Sequence, residues 1–277
     1  MKKDFLLFFL GSYLNMLCAV SSQRGGKEGF NLFCRPRRRP VKPRHLEFFN
    51  TAEKFTVMYD NKKIQAYRWG NGPKKLLLLH GWESHSYWWK SVITNLPKEK
   101  YSIYSIDAPG HGLSEGHFIN LPYYSKLIEK IVVEYGEFYA LLGHSLGAFS
   151  TVYTFCRAPQ LGKAKLIIMA SPGEAAEFVT FYKNMLGLSD RTMSAMRAYF
   201  MERTGFVPEY FSLKEFVKSV NNQGLIIHDQ ADREAPYAHA LAAHHNWPNS
   251  KMISTTGLGH NLKSLELIQE VENFLNA

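Results

Sequence analysis

Short apolar segments alternate with segments of helical pattern through residues 46–277, and this alternation limits the folds open to the chain. Continuous apolar runs such as Leu76–Leu79 and Phe138–Leu142 are typical of strands buried on both faces of a parallel sheet. Segments such as Pro122–Tyr135 have helical character. Because strands joined by crossover helices form right-handed units, the pattern predicts an α/β fold with a doubly wound, mostly parallel sheet.

One interval interrupts this alternation. The apolar run that ends at Ala170 and the one that begins at Leu225 are separated by about fifty residues of mainly helical character, which is too long for a plain crossover. We therefore predict that residues 174–220 form a helical cap inserted into the domain of residues 46–277.

Composition excludes several classes of protein. Of the 277 residues, 45% are apolar and 21% are charged, so the chain can bury a core and is not disordered or collagen-like. Beyond the N-terminal segment it has no apolar stretch of about 18 residues, which excludes a polytopic membrane protein. Cys18, Cys34 and Cys156 form no CxxC pair, so neither a disulfide scaffold nor a metal site is predicted.

The net charge of +9 is concentrated at the N-terminus. Residues 1–45 contain ten Lys or Arg against Asp4 and Glu28, whereas residues 46–277 contain 23 against 22 acidic residues. Because the body of the protein is nearly neutral and has no recognition motif, nucleic-acid binding is not predicted.

Residues 1–45 allow three interpretations. Lys2 and Lys3 precede an apolar run, Phe5–Val20, and a Pro-spaced basic stretch follows at Arg35–Arg44. The segment could lie on an anionic membrane surface, pack on the domain as a docked helix with a basic connector, or act as a signal peptide or short anchor. The first two favour a cytoplasmic or peripherally membrane-associated protein, and the third a secreted or anchored one.

The motif with the clearest chemistry is G-x-S-x-G, present as Gly143-His144-Ser145-Leu146-Gly147. It lies between an apolar strand and a helical segment. A serine at such a turn has a strained backbone and needs small neighbours, here Gly143 and Gly147, for close packing. The turn exposes the hydroxyl and directs the N–H groups of the helix N-terminus toward it.

With this motif the chain resembles the α/β-hydrolase family, over essentially residues 50–277. His80-Gly81-Trp82 follows the Leu76–Leu79 run, as the oxyanion loop does in that family. The resemblance implies that the backbone N–H groups of Trp82 and Leu146 stabilise an oxyanion, with His80 and Gly81 supporting the loop. Asp107–Ser114 is similar to the family's D-x-P-G-x-G-x-S turn, for which we expect a structural role.

The resemblance also implies a base and an acid, because the family order is Ser, acid, His. His260, in the glycine-rich segment Gly257–Asn261, is at the family position of the base. Asp232 is at the position of the acid. Asp229 stands where family members usually have glycine, which makes it an alternative acid or a second carboxylate beside the first.

These residues predict a serine hydrolase. Ser145 would attack a carbonyl carbon, His260 would carry the proton and water would release the acyl group, with no cofactor or metal. A serine nucleophile, rather than an aspartate, argues against the dehalogenases and epoxide hydrolases of the family.

We expect a small carboxylic ester as substrate, with an anionic membrane surface as a further partner of residues 1–45. The predicted cap is rich in apolar residues that suit a hydrophobic acyl or alkyl group, although packed cap helices need the same residues: Phe178, Phe181, Tyr182, Met185, Leu186, Met193, Met196, Phe200 and Met201. A thioesterase, a lactonase, a C–C hydrolase and a binding protein with an idle triad are the alternatives.

Overall fold

The computed structural model describes residues 2–277, with side chains from residue 5 onward. Eight strands of this part of the chain form one sheet in the order β1-β2-β4-β3-β5-β6-β7-β8. They are β1 (Glu53–Tyr59), β2 (Lys62–Trp69), β3 (Lys74–Leu79), β4 (Tyr101–Ile106), β5 (Ala140–His144), β6 (Lys165–Met169), β7 (Gly224–Asp229) and β8 (Ser250–Thr255). The β1–β2 and β2–β4 pairs are antiparallel and the other pairs are parallel, which confirms the predicted fold class.

The helices of the described chain are α1 (Lys2–Val20), α2 (Ser22–Phe33), α3 (Pro43–Phe49), α4 (Lys90–Asn95), α5 (Leu121–Tyr135), α6 (Leu146–Arg157), α7 (Ala175–Leu186), α8 (Asp190–Thr204), α9 (Leu213–Phe216), α10 (Tyr237–Asn246) and α11 (Leu265–Asn276). Local sequence explains the bounds of several. The Asn120 side chain accepts a hydrogen bond from the Tyr123 N–H and so caps α5, as expected of an Asn N-cap. None of the helices that the structure describes is long and apolar enough to cross a membrane.

The chain divides into two compact units. One contains the chain up to Arg35 together with Glu174–Ser212, and the other contains Pro36–Gly173 and Leu213–Ala277. These bounds differ from the predicted ones at residues 45 and 220. The reason is that α1 and α2 contact α7 and α8, so the N-terminal helices and most of the predicted cap share a unit.

In the helical unit, α1 is held by close packing and by a side-chain network. A Cβ on Gly11 would collide with the carbonyl oxygen of Leu186, so only glycine allows α1 to cross the end of α7 here. The Asn15 side chain donates to the Gly187 carbonyl at 3.0 Å and accepts from the Ser189 N–H at 2.9 Å. Leu14 is buried at the same interface.

The opposite side of α1 faces solvent and is apolar. Its exposed large side chains are Phe5, Leu6, Phe8, Phe9, Tyr13, Met16 and Val20. A soluble helix normally presents polar residues on its exposed face, so α1 departs from the usual amphipathic pattern.

In the sheet unit, the central strands explain where a site can form. β3, β5, β6 and β7 are parallel neighbours and their apolar residues are buried. Because the strands run in one direction, the segments that follow them meet at one edge of the sheet, which is where ligands bind in open α/β folds.

Candidate active site

Ser145 occupies the turn between β5 and α6. Its backbone angles, φ 51° and ψ −121°, are strained for a residue with a side chain. Its N–H donates to the Met169 carbonyl at 2.9 Å, which fixes the turn against β6. A Cβ on Gly147 would collide with the Leu79 carbonyl oxygen, and one on Gly143 would lie 2.5 Å from the Cα of Ala148. Both glycines of the motif therefore permit close backbone approach.

His260 and Asp232 come together at the same edge of the sheet. His260 lies in a short helical turn, Gly259–Asn261, between β8 and α11, and Asp232 follows β7. The His260 Nδ1 is 2.8 Å from the Asp232 Oδ2. The Asp232 side chain is fully buried, whereas that of His260 is 12% exposed. With the proton on Nδ1, the neutral ring keeps Nε2 as an acceptor.

The environment of Asp232 keeps its carboxyl group ionised. Burial raises its pKa, but hydrogen bonds from His260 and from the N–H groups of Ala235 and Glu234 outweigh this, so the pKa lies below its usual value. The His228 ring is a further neighbour, with its Nε2 2.8 Å from the Ala235 carbonyl oxygen and 3.5 Å from the Asp232 Oδ2. Asp232 is therefore held by several donors.

Asp229, the alternative acid, has other partners. It is fully buried, and its Oδ2 accepts from the Thr255 hydroxyl and the Leu258 N–H, each at 2.8 Å. Its Oδ1 accepts from the Ala231 N–H at 2.9 Å. Asp229 thus connects the segment that carries Asp232 to the segment that carries His260, while Asp232 is the carboxylate bonded to the imidazole.

The predicted oxyanion loop lies directly against Ser145. A Cβ built on Gly81 would lie 2.8 Å from the Ser145 Cβ. His80 donates from Nδ1 to the Gly81 carbonyl at 2.8 Å and accepts at Nε2 from the Ala108 N–H at 2.9 Å. Because the C=O and N–H of a trans peptide point in opposite directions, the Trp82 N–H faces away from the His80 ring.

The second predicted donor is the N–H of Leu146. It belongs to the first residue of α6, and the first N–H groups of a helix have no partner within the helix. The N-terminus of a helix also carries partial positive charge. The Leu146 N–H is therefore next to Ser145, and the Trp82 N–H belongs to the residue that follows Gly81, which lies against Ser145.

Two contacts of His144 were not anticipated. Its Nε2 is 2.8 Å from the carbonyl oxygen of His260, and its ring stacks on Trp88 with the centroids 4.0 Å apart. Burial lowers the pKa of His144 to about 3, so the neutral ring donates from Nε2. His144 thereby connects the loop that carries His260 to the turn that carries Ser145, and no local sequence signal distinguishes it from another residue in the variable position of the motif.

The Asp107–Ser114 turn makes hydrogen bonds with the segment that follows the predicted oxyanion loop. The Asp107 carboxylate accepts from the Ser86 and Leu113 N–H groups at 2.8 and 2.9 Å. His111 accepts at Nε2 from the Glu83 N–H at 2.9 Å, and burial lowers its pKa to about 3. These contacts are structural, in keeping with the expectation for this turn.

The arrangement is suited to nucleophilic acyl transfer. Ser145 lies at a strained turn between a strand and a helix, and the His260 imidazole is bonded to a buried carboxylate. Backbone N–H groups near the serine could stabilise an oxyanion. Among the described residues, no three His, Cys, Asp or Glu side chains are grouped so as to hold a metal ion.

Comparison with known proteins gives several partial sequence relatives. A pimeloyl-[acyl-carrier protein] methyl ester esterase of Nitrosomonas europaea is 30% identical over 103 residues, which cover 37% of this chain and 39% of the esterase. A serine hydrolase-like protein of Homo sapiens is 33% identical over 117 residues, covering 39% of this chain and 56% of the relative. The chain thus matches less than two thirds of the length of each.

The fold and the family give longer matches. A solved membrane phospholipase A, described as a novel bacterial virulence factor, superposes with a TM-score of 0.65 and 18% identity over 100% of this chain and 98% of that one. At this identity the likeness concerns the fold alone. The family described as serine aminopeptidase, S33, matches residues 72–264, which is more than half of the sequence. The chain therefore belongs to this family of α/β hydrolases.

Proposed function

We propose that the protein is a cofactor-free serine hydrolase that cleaves carboxylic esters through an acyl-enzyme. The observation that carries the proposal is the 2.8 Å hydrogen bond between His260 and the buried carboxylate of Asp232, next to the strained turn of Ser145. The names of the partial relatives, a methyl ester esterase and a serine hydrolase-like protein, support the same reaction class.

In the proposed mechanism, His260 Nε2 accepts the proton of the Ser145 hydroxyl as Oγ attacks the ester carbonyl carbon. The tetrahedral oxyanion accepts hydrogen bonds from the Trp82 and Leu146 N–H groups, and Asp232 stabilises the imidazolium. Collapse breaks the bond to the alkoxy group, which leaves as an alcohol with the proton from His260. A water molecule then gives a proton to His260 and attacks the carbonyl carbon of the acyl-enzyme. The bond between this carbon and the Ser145 Oγ breaks, Oγ takes the proton back and the carboxylic acid is released.

We further propose that the ester has a hydrophobic acyl or alkyl group. Of the apolar residues of the predicted cap, Phe178, Phe181, Met185 and Met201 remain exposed, whereas others, such as Tyr182 and Met196, form the core of the helical unit. A surface rich in aromatic and thioether side chains favours a hydrophobic ligand. A panel of aryl esters of increasing chain length tests this preference.

An anionic lipid surface is the proposed partner of the N-terminal segment. The exposed side of α1 has aromatic and aliphatic side chains and the segment around it is basic, which is the composition of interfacial helices. The solved structure described as a membrane phospholipase A has a related fold. We propose that the protein acts on its ester substrate at such a surface.

The reaction is tested with a fluorophosphonate probe on the full-length protein, the Ser145→Ala variant and a Ser91→Ala control, which changes an exposed serine of α4. We expect a single adduct at Ser145 in the wild type and the control. Ser145→Ala should lose labelling and lower ester turnover by a factor on the order of 10⁴–10⁶ without a change in circular dichroism. Unlabelled, well-folded wild-type protein, or turnover that survives in Ser145→Ala, would contradict the proposal.

A further inference from the structure

The basic segment that follows the N-terminal helices contacts the loops that support the active site. We propose that Pro36, Arg37 and Arg38 form a strap that positions the oxyanion loop, with Arg37 as the positioning residue. The inference rests on the proposed function, because the loop carries the Trp82 N–H. The contacts of the strap with Glu83, Gly110, Gly112 and Gly116 lie within the sheet unit.

Arg37 binds Glu83, the residue directly after Trp82, through three hydrogen bonds. Its backbone N–H and its Nε donate to Oε1 at 3.1 and 2.8 Å, and Nη2 donates to Oε2 at 2.9 Å. The Glu83 side chain is only 10% exposed, whereas that of Arg37 is 76% exposed. A two-pronged guanidinium–carboxylate pair fixes direction as well as distance, so the carboxylate has one favoured position.

The backbone of Glu83 requires such support. Its φ of 50° lies in the left-handed region, which is unfavourable for a residue with a side chain. Its N–H donates to His111, so contacts hold Glu83 at both its backbone and its carboxylate. A strained conformation persists only where surrounding contacts enforce it, and any relaxation at Glu83 would move the adjoining Trp82 peptide.

Arg38 and Pro36 connect the same segment to the second loop. Arg38 donates from Nη1 to the Gly112 carbonyl and from Nη2 to the Gly116 carbonyl, each at 3.1 Å. Pro36 is buried, and its Cγ lies 3.1 Å from the place a Cβ on Gly110 would occupy. Since this loop carries His111, the strap fixes the two supporting loops relative to each other.

The protonation state of Glu83 is consistent with this role. Burial raises the pKa of Glu83, but the hydrogen bonds and charge of Arg37 lower it by more, so the pKa stays below its usual value. The carboxylate therefore remains an acceptor at neutral pH. Isolated surface ion pairs are usually worth little, and the experiment must separate such a passive pair from a positioning one.

The test uses the full-length Arg37→Ala and Arg37→Lys variants with a soluble aryl ester and no lipid. Because the oxyanion develops only in the transition state, loosening its donor should lower kcat and leave KM nearly constant. We expect kcat to fall about tenfold in Arg37→Ala and less in Arg37→Lys, well short of the loss of a whole oxyanion donor. The rate of fluorophosphonate labelling should fall in parallel, and added guanidinium should restore part of the kcat of Arg37→Ala.

The matched control is Arg68→Ala, which removes another exposed Arg–Glu pair, with Glu53 on the edge strand β1. Its kcat should stay within about twofold of the wild type, as for an independent distant site. The Arg37→Ala/Glu83→Gln double variant should lose little more than either single variant, because the two residues act together.

Several results would overturn the strap. One is an unchanged kcat in Arg37→Ala, and another is an equal loss of kcat in Arg68→Ala. The third is a loss of kcat in Arg37→Ala that guanidinium does not restore and that is proportional to the fraction of unfolded protein. If Arg37→Ala does not fold, Arg37→Lys and Glu83→Gln carry the same comparison. Wild-type turnover and the Ser145→Ala variant report the proposed function separately, so the two proposals can fail independently.

Discussion

At the scale of single residues, the neighbouring carboxylates of Asp229 and Asp232 differ in their hydrogen-bond partners. Asp232 is bonded to the His260 imidazole, whereas Asp229 binds two backbone N–H groups and the Thr255 hydroxyl. We expect the bond to the imidazole to affect the proposed reaction, and the bonds to buried donors to affect folding. The two residues should therefore separate activity from stability.

We predict that Asp232→Asn lowers kcat by about 10³–10⁴-fold because the base is no longer oriented or stabilised, while the free energy of unfolding changes little. Asp229→Ala should lower the free energy of unfolding by about 3 kcal/mol because it leaves buried donors unpaired, with a smaller loss of kcat. Urea unfolding and ester kinetics on both variants measure this. A larger loss of kcat in Asp229→Ala than in Asp232→Asn would reverse the assignment of the acid.

The sequence could indicate the residues of the site that follow a fixed chain order. Ser145, Asp232 and His260 follow β5, β7 and β8, and the parallel sheet brings the ends of those strands to one edge. His144 and Arg37 could not be predicted in this way. Their roles depend on the orientation of one ring and on a contact with Glu83, 46 residues away, and no periodicity or motif encodes either.

At the scale of elements, α1 combines a face that packs and a face that does not. Gly11, Leu14 and Asn15 fix one face on the helical unit, while Phe5, Phe8 and other large apolar residues are exposed on the other. From the sequence alone, docking and membrane association are equally well supported, and a helix with one packed face and one exposed apolar face is compatible with both. A single hydrophobic run cannot reveal which of its faces is covered, because that depends on residues 183–196, far along the chain.

We predict that the exposed face binds anionic vesicles. Phe8→Glu and Phe9→Glu should each weaken cosedimentation with phosphatidylserine-containing vesicles, because a buried apolar side chain contributes about 1.5–3 kcal/mol and the added charge is repelled. Added salt should weaken binding of the wild type. The matched control is Leu265→Glu, which places the same charge on an exposed apolar position of α11. Equal effects of all three variants would count against α1 as the binding face.

At the scale of the whole molecule, buried histidines link folding to pH. Burial lowers the pKa values of His80, His111 and His144 to about 3, and each ring makes hydrogen bonds in its neutral form. In the unfolded chain a histidine titrates near pH 6.5. Between these values the unfolded chain binds protons that the folded protein does not, so stability is present above about pH 6.5 and decreases as the pH falls.

We predict that the free energy of unfolding in urea decreases between pH 7.5 and pH 5, before most carboxylates are protonated. His80, His111 and His144 by themselves contribute a limiting slope on the order of 4 kcal/mol per pH unit. His111→Gln, which keeps an acceptor and a donor, should reduce the slope by about 1.4 kcal/mol per pH unit, the contribution of one proton. His245→Gln, a change at an exposed position, should not alter it. A free energy of unfolding that is constant over this range would contradict the prediction.

The architecture of the sheet was predictable because buried parallel strands such as β3 and β6 have continuous apolar sequences. The division into units was not. Helix α2 contains Gly25, Gly26 and Gly29, which by propensity weaken a helix, yet these glycines let α2 approach Cys18, Ala195 and Met196 closely. The gain from the contacts with Ala195 and Met196 depends on residues more than 160 positions from the glycines, which a local pattern does not contain.

The position of the strap has a consequence for evolutionary comparison. Arg37 precedes the region shared with the family, residues 72–264, yet it binds Glu83 inside that region. Relatives that align only over the shared region can differ in the strap, and their residue at the Glu83 position is then under different selection. In a set of full-length homologues, the identities at positions 37 and 83 should covary across the family boundary, with an acidic residue retained where an arginine is present.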